Sequence, residues 1–197
     1  MAFATIGNSA LTGSIDLTSK VTGSLPVANG GTALTSGFVN GGGLTAGSQW
    51  RLTTSFTGDA EPIASNWEVN DTAGYGSLGS AMTESSGTFT FPSTGIWQIM
   101  FQCQWYYSGD SRWNQVYIKT TTNNSSYTTA GEMYQFVQQT EGGSTYAMGT
   151  SEIIFDVTDT TQCKVQFHER VNNDSCQIYG TSGYQTTGVT FVRLGDT

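Results

Sequence analysis

The chain has 197 residues, of which 11% are charged, 12% are aromatic and 25 are glycine. Few charges beside many Gly, Ser, Thr and aromatic residues suit an all-β domain with polar turns, and exclude a long helical protein, which needs more Ala, Glu, Lys and Leu. A formal net charge of -8 repels a phosphate backbone and an anionic bilayer, so neither nucleic acid nor a membrane is expected as a partner.

Residues 1–48 form a distinct first block in which only Asp16 and Lys20 are charged. Short phrases recur along it: Leu11-Thr12-Gly13-Ser14, Val21-Thr22-Gly23-Ser24, Leu34-Thr35-Ser36-Gly37 and Leu44-Thr45-Ala46-Gly47. Residues 1–7 are too short and too polar for a signal peptide, and no stretch is long and apolar enough to cross a bilayer as a helix. Alone, the block buries too little apolar surface to offset its ordering entropy, as a linker would. The spaced apolar residues Ile15, Leu17, Val21, Leu25 and Val27 favour a docking arm, ordered on contact with a sister chain or a larger assembly.

Residues 49–197 read as one aromatic-rich head. Strands are predicted at 49–56 and 82–91, and then at 96–107. In this last stretch Trp97, Ile99, Phe101, Cys103 and Trp105 alternate with Gln98, Met100, Gln102 and Gln104, the period-two pattern of a long half-buried strand. The next strand is predicted at 113–120, followed by one near 132–138 between the turn signals Asn123-Asn124-Ser125-Ser126 and Glu141-Gly142-Gly143-Ser144. Alternating apolar triplets at 153–157, 163–167 and 189–191, with a short segment at 177–179, complete about eight strands and make a two-sheet β-sandwich the expected fold. Phe89, Phe91, Trp97, Ile99, Phe101, Val165, Phe167 and Phe191 are the expected core. Tyr106, Tyr107, Trp113, Tyr117, Tyr134 and Tyr179 exceed what that core needs. Trp113, Tyr117, Tyr134 and Tyr179 are therefore expected to be buried between copies of the chain.

Signals of chemistry are sparse. His168 is the single histidine and lies on the polar face of its strand. No serine sits in a G-x-S-x-G elbow, so a surface or interface histidine is the reading. Cys103, Cys163 and Cys176 are odd in number and are expected as free thiols from a reducing cytosol, with a Cys103–Cys163 bridge open only if their strands are neighbours. The close acids Asp59 and Glu61, Glu68 and Asp71, and Asp156 and Asp159 fall at strand ends and loops, where carboxylates solvate turns. The acidic loops Glu68-Val69-Asn70-Asp71 and Asn172-Asn173-Asp174 offer oxygen ligands without EF-hand spacing. No catalytic residue, metal ligand set or cofactor is expected.

The phrase Gly87-x-Phe89-x-Phe91-Pro92-x-x-Gly95-x-Trp97-x-Ile99-x-Phe101 resembles the globular heads of complement-like and tumour-necrosis-factor-like jelly rolls. Trp97 stands where that family usually has Tyr. Ser151 to Phe167 resembles a later strand pair, with Asp159-Thr160-Thr161-Gln162 replacing the usual Gly-Asp, and Gly188 to Leu194 resembles the closing strand. The likeness covers residues 50–195 and implies a jelly roll assembled as a tight threefold trimer. In the arm, Val21 to Thr32 resembles a phrase of bacteriophage fibre and virion-surface proteins. Together the two resemblances imply a trimeric capsid decoration or cement protein, made in the bacterial cytoplasm, whose partners are itself and the major capsid protein or another virion protein. The alternative is a tail-fibre or receptor-binding tip, with Trp67, Tyr75 and Tyr184 exposed in loops to stack on host glycans.

Overall fold

The computed structural model describes residues 44–197, which contain twelve strands and no helix. In chain order the strands are β1 (Gly47–Leu52), β2 (Thr54–Thr57), β3 (Trp67–Val69), β4 (Thr83–Ser85), β5 (Thr88–Thr90), β6 (Gly95–Tyr107), β7 (Ser111–Thr121), β8 (Thr128–Val137), β9 (Thr145–Val157), β10 (Lys164–Val171), β11 (Gln177–Thr181) and β12 (Gly188–Gly195). One sheet runs β2-β11-β6-β12-β1-β3, with β9 on the other edge of β6. The second runs β4-β5-β10-β7-β8.

Without the short strands β2, β3, β4 and β11, the first sheet reads β1-β12-β6-β9 and the second β5-β10-β7-β8. The chain thus passes repeatedly from sheet to sheet, and all pairings are antiparallel. This is the eight-strand order of a jelly roll. The arm residues Ile15, Leu17, Val21, Leu25 and Val27 lie outside the described residues.

Alternation along β6 directs Trp97, Ile99, Phe101, Cys103 and Trp105 between the sheets, each 1% exposed or less. Phe89, Phe91, Val165, Phe167 and Phe191 meet them there, none more than 2% exposed. Phe89 meets three rings edge-on, as ring quadrupoles favour: it lies 5.3 Å from Trp50, 5.6 Å from Trp67 and 5.3 Å from Phe167.

Several segments differ from their expected form. The stretch 82–91 is a hairpin, because Ser86 and Gly87 both have positive φ (51° and 79°) and form a two-residue loop between the paired Ser85 and Thr88. The Glu84 carboxylate accepts the Gly87 N–H at 2.6 Å, and a Cβ on Gly87 would lie 2.6 Å from the Ile63 carbonyl oxygen. Trp67 is not an exposed loop aromatic. It pairs with Leu52 in β3, is 9% exposed, and its indole N–H donates to the Ile63 carbonyl at 2.8 Å. The strand expected at 153–157 begins at Thr145 and pairs with the whole of β6.

The sandwich has two ends. Leu44, the 92–94 turn and the 158–163 loop lie at the end where β1 begins. The 108–110, 138–144 and 172–176 loops lie at the opposite, distal end, as the registers of β6 with β9 and of β7 with β10 require.

Candidate interaction faces

On the outer face of the seven-stranded sheet, β6 presents Gln98, Met100, Gln102, Gln104 and Tyr106. Across from them in register, β9 presents Ile154, Glu152, Thr150, Met148 and Tyr146. No outward position of β6 is charged, and on β9 only Glu152 and Asp156 are. Towards the distal end the face becomes a tyrosine cluster. Tyr106 stacks on Tyr146 with centroids 5.4 Å apart and meets Tyr179 edge-on at 5.6 Å. The Tyr179 and Tyr184 hydroxyls are 3.4 Å apart. Tyr146, Met148 and Ile154 are 59%, 48% and 69% exposed. They lie on a 13-residue strand whose second edge pairs with no strand of its own sheet. Side chains of β8 meet part of that edge, Gln135 donating to the Met148 carbonyl at 3.3 Å and Met133 lying against Gly149; an edge with no strand pairing and apolar side chains is a template for association.

The outer face of the five-stranded sheet is different. Trp113, Gln115, Tyr117 and Lys119 of β7 lie between Glu132, Tyr134 and Phe136 of β8 and His168 and Arg170 of β10. The Arg170 guanidinium lies 5.9 Å from the Trp113 ring centroid. It pairs with Glu61 at 3.0 Å and Asp59 at 3.5 Å, while Asp59 also accepts the Val171 N–H at 2.8 Å. Lys119 sits 5.4 Å from the Tyr117 centroid and 4.0 Å from Glu61. His168, on this face, is only 5% exposed. Its Nε2 contacts Gln166 Oε1 at 3.1 Å and its Nδ1 lies 4.0 Å from Glu61. Burial, with the Lys119 charge, lowers its pKa to about 4, so the ring is neutral at physiological pH.

Two ionic groups are enclosed. Arg51, 2% exposed, bonds to Glu68, Asp71, Asn70 and Thr72. The acidic loop Glu68-Val69-Asn70-Asp71, which offered oxygen ligands in the sequence, therefore grips a guanidinium, its carboxylates already neutralised. In the other such loop, Asn173 Oδ1 accepts the Ser175 N–H at 3.0 Å, closing a turn. Among the described residues no three His, Cys, Asp or Glu side chains are grouped as metal ligands.

The second enclosed group is Glu169. It follows Val165 and Phe167 on the inward face of β10 and is fully buried. Trp105 Nε1 donates to its Oε1 at 2.7 Å, while Oε2 has no partner. Burial first, then the acids Asp59 and Glu61, push its pKa up to about 8 against the Trp105 bond. The carboxyl is therefore mostly protonated at neutral pH. All three cysteines are free and buried. Burial raises the Cys176 thiol to about 12 and the Cys103 thiol well above its usual value, so neither is a ready nucleophile.

The four residues expected at an interface are not brought together. Trp113, Tyr117 and Tyr134 share the five-stranded face, whereas Tyr179 belongs to the seven-stranded one, because β11 joins β6 and not β7. Tyr146, Met148 and Phe136 went unnoticed in the sequence. Their outward alternation was present, but Gly149, Thr145 and Thr150 weaken the apolar signal around the first two. Tyr75 and Tyr184 are exposed, at 43% and 55%.

No protein-family model matches the sequence, and no curated protein matches it. Among solved structures the chain is similar to the crystal structure of murine APRIL, at 11% identity and a TM-score of 0.49, over 76% of this chain and 98% of that one.

Proposed function

We propose that the chain is a structural, non-enzymatic virion-surface protein, a capsid decoration protein of bacteriophage type. In this reading three copies associate through the seven-stranded sheet, and residues 1–48 attach the assembly to the shell. The observation that carries self-association is the outer face of β6 and β9. It holds Tyr, Met and Gln with almost no charge, and it ends on an edge of β9 that pairs with no strand of its own sheet. Interface cores are depleted of charge and enriched in Tyr and Met, and burying Gln or Tyr between copies costs far less than burying Lys or Glu. The phage assignment rests on the Val21–Thr32 phrase of the arm. The buried free thiols suit synthesis in a reducing bacterial cytoplasm. The major capsid protein or another virion protein is the partner of the arm, and three arms held together multiply weak contacts through effective concentration.

Light scattering on the purified full-length chain is expected to give a trimer mass, and Tyr146→Arg to give a monomer that still folds. A monomeric parent would overturn the assembly. Electron microscopy of particles carrying the protein is expected to show threefold knobs across the shell, absent when residues 1–48 are deleted. Knobs confined to the tail would transfer the role to a receptor-binding tip.

A further inference from the structure

The outer face of the five-stranded sheet carries four aromatic rings that the core does not use. Trp113 and Tyr117 are half-buried, and Tyr134 and Phe136 are each 58% exposed. They surround Gln115, whose amide donates to Glu132 at 3.2 Å. Phe136 continues into a distal cleft of about 300 Å3, lined also by Asp110, Ser111, Arg112 and Gln138. Behind the cleft wall, Ser111 donates to Asn114 Oδ1 at 2.6 Å, and the buried Asn114 Nδ2 is left without a partner. Ring faces beside carboxylates, amides and a guanidinium are the combination that holds a pyranose. Its C–H face lies on an aromatic ring while its hydroxyls exchange bonds with planar polar groups.

The charges decide which glycan. Arg170 is matched by Glu61 and Asp59, Lys119 faces Glu61, and Arg112 shares the cleft with Asp110. Arg170, Lys119 and Arg112 stand among Asp59, Glu61, Asp110 and Glu132, so the face holds no surplus positive charge for an anionic sugar or a phosphate. It is also too ionic for the core of a self-association interface, in contrast to the seven-stranded face. From these features we infer that the Trp113–Tyr117–Tyr134–Phe136 face and its adjoining cleft bind an uncharged hexose oligosaccharide. The site stands on the side of the sandwich opposite the proposed assembly face, and its existence does not depend on that assembly.

The test is calorimetric titration of the full-length protein with maltohexaose, cellohexaose and laminarihexaose, and with sialyllactose and a heparin hexasaccharide as anionic probes. At least one neutral probe is expected to bind. Tyr134→Ala and Phe136→Ala, both exposed substitutions, should each weaken binding about tenfold, the scale of one lost ring contact. Leu44→Ala, an exposed apolar side chain at the opposite end of the sandwich, should leave binding unchanged. Absence of binding to all three neutral probes overturns the inference, as does stronger binding of an anionic probe or parental affinity in both variants. A drop in oligomer mass in Tyr134→Ala or Phe136→Ala would assign the face to a second copy and also overturn it. A monomeric parent that binds sugar would sink the proposed assembly and leave this site standing.

Discussion

Glu169→Gln is expected to stabilise the head increasingly as pH rises. The carboxyl is fully buried beside Trp105, with one oxygen unpartnered. Its pKa is about 8 in the folded protein against an ordinary 4.5. Between those values the unfolded chain has lost a proton that the folded chain retains. The unfolded state therefore binds fewer protons, and stability falls with rising pH through that window. At about 1.36 kcal/mol per pKa unit the full loss is on the order of 4–5 kcal/mol, with roughly 3 kcal/mol already lost near pH 7. Glutamine keeps the oxygen that accepts the Trp105 N–H and is neutral throughout, so it removes the window while preserving shape. Urea unfolding of both proteins at equal concentration, near pH 4.5, about 7 and about 8.5, checks this. Near pH 8.5 unfolded thiols also begin to ionise, and the Cys103 and Cys176 thiols, raised in the folded state, add a loss common to both proteins, so the difference between the two isolates residue 169. Equal stability near pH 4.5, diverging to roughly 3 kcal/mol in favour of the variant near pH 7, is the expected outcome. Parallel pH profiles would refute the reasoning and place the ionised carboxylate, with water, inside the core.

His168 works in the opposite direction. Its folded pKa, lowered to about 4 from 6.5, contributes stability that is present above 6.5 and lost as pH falls towards 4. His168→Gln should flatten this acid limb by about 1–3 kcal/mol in acid unfolding, the Glu61 carboxylate holding the effect below its full value. Phe101, fully buried against Phe167 with centroids 5.0 Å apart, should cost about 3–5 kcal/mol on replacement by Ala; a near-neutral result in urea unfolding would contradict the β6 register. Arg51→Met strips the guanidinium that ties Glu68, Asp71, Asn70 and Thr72 to β1. Since Glu68 and Asp71 are 36% and 78% exposed and regain water, a loss of about 3 kcal/mol is expected, the low end for a broken buried pair. Unchanged unfolding would mean that the loop is held by its backbone bonds alone.

Much of the fold was legible because alternation in β6, β10 and β12 is carried by residues with one preferred environment. Trp97, Phe101, Phe167 and Phe191 have nowhere to go but between the sheets. The Ser86-Gly87 turn was harder to see. It interrupts a run that reads as one strand, and only Gly87 signals a left-handed backbone. Trp67 was misplaced because a three-residue strand between loops has no period to detect. Glu169 was the opposite case. The alternation of Val165 and Phe167 already sends it inward, against the usual preference of carboxylates for water. Among the candidate site residues, the aromatic type was readable and the sheet was not. Whether Tyr179 stands beside Tyr106 or beside Tyr117 depends on β11 crossing to β6, a long-range pairing that no local pattern encodes.

What separates the two outer faces is the polar company of their tyrosines. On β6 the outward partners are Gln98, Gln102 and Gln104, long side chains that hydrogen-bond without a charge to desolvate. On β7 and β10 they are Lys119, His168 and Arg170, held by Glu61 and Asp59. Aromatic rings among glutamines are ready to be enclosed by another protein surface, since little solvation is forfeited. Rings among locally matched ions keep their hydration and remain at the surface, where a polar ligand can be exchanged. The same residue type thus points to assembly on one sheet and to recognition on the other. The outer edge of β9 adds to this asymmetry, because it pairs with no strand of its own sheet and is met only by side chains of β8 such as Gln135 and Met133, and an edge of that kind favours association unless it is covered. The distal cleft beside Phe136 lies at the other end of the sandwich from Leu44.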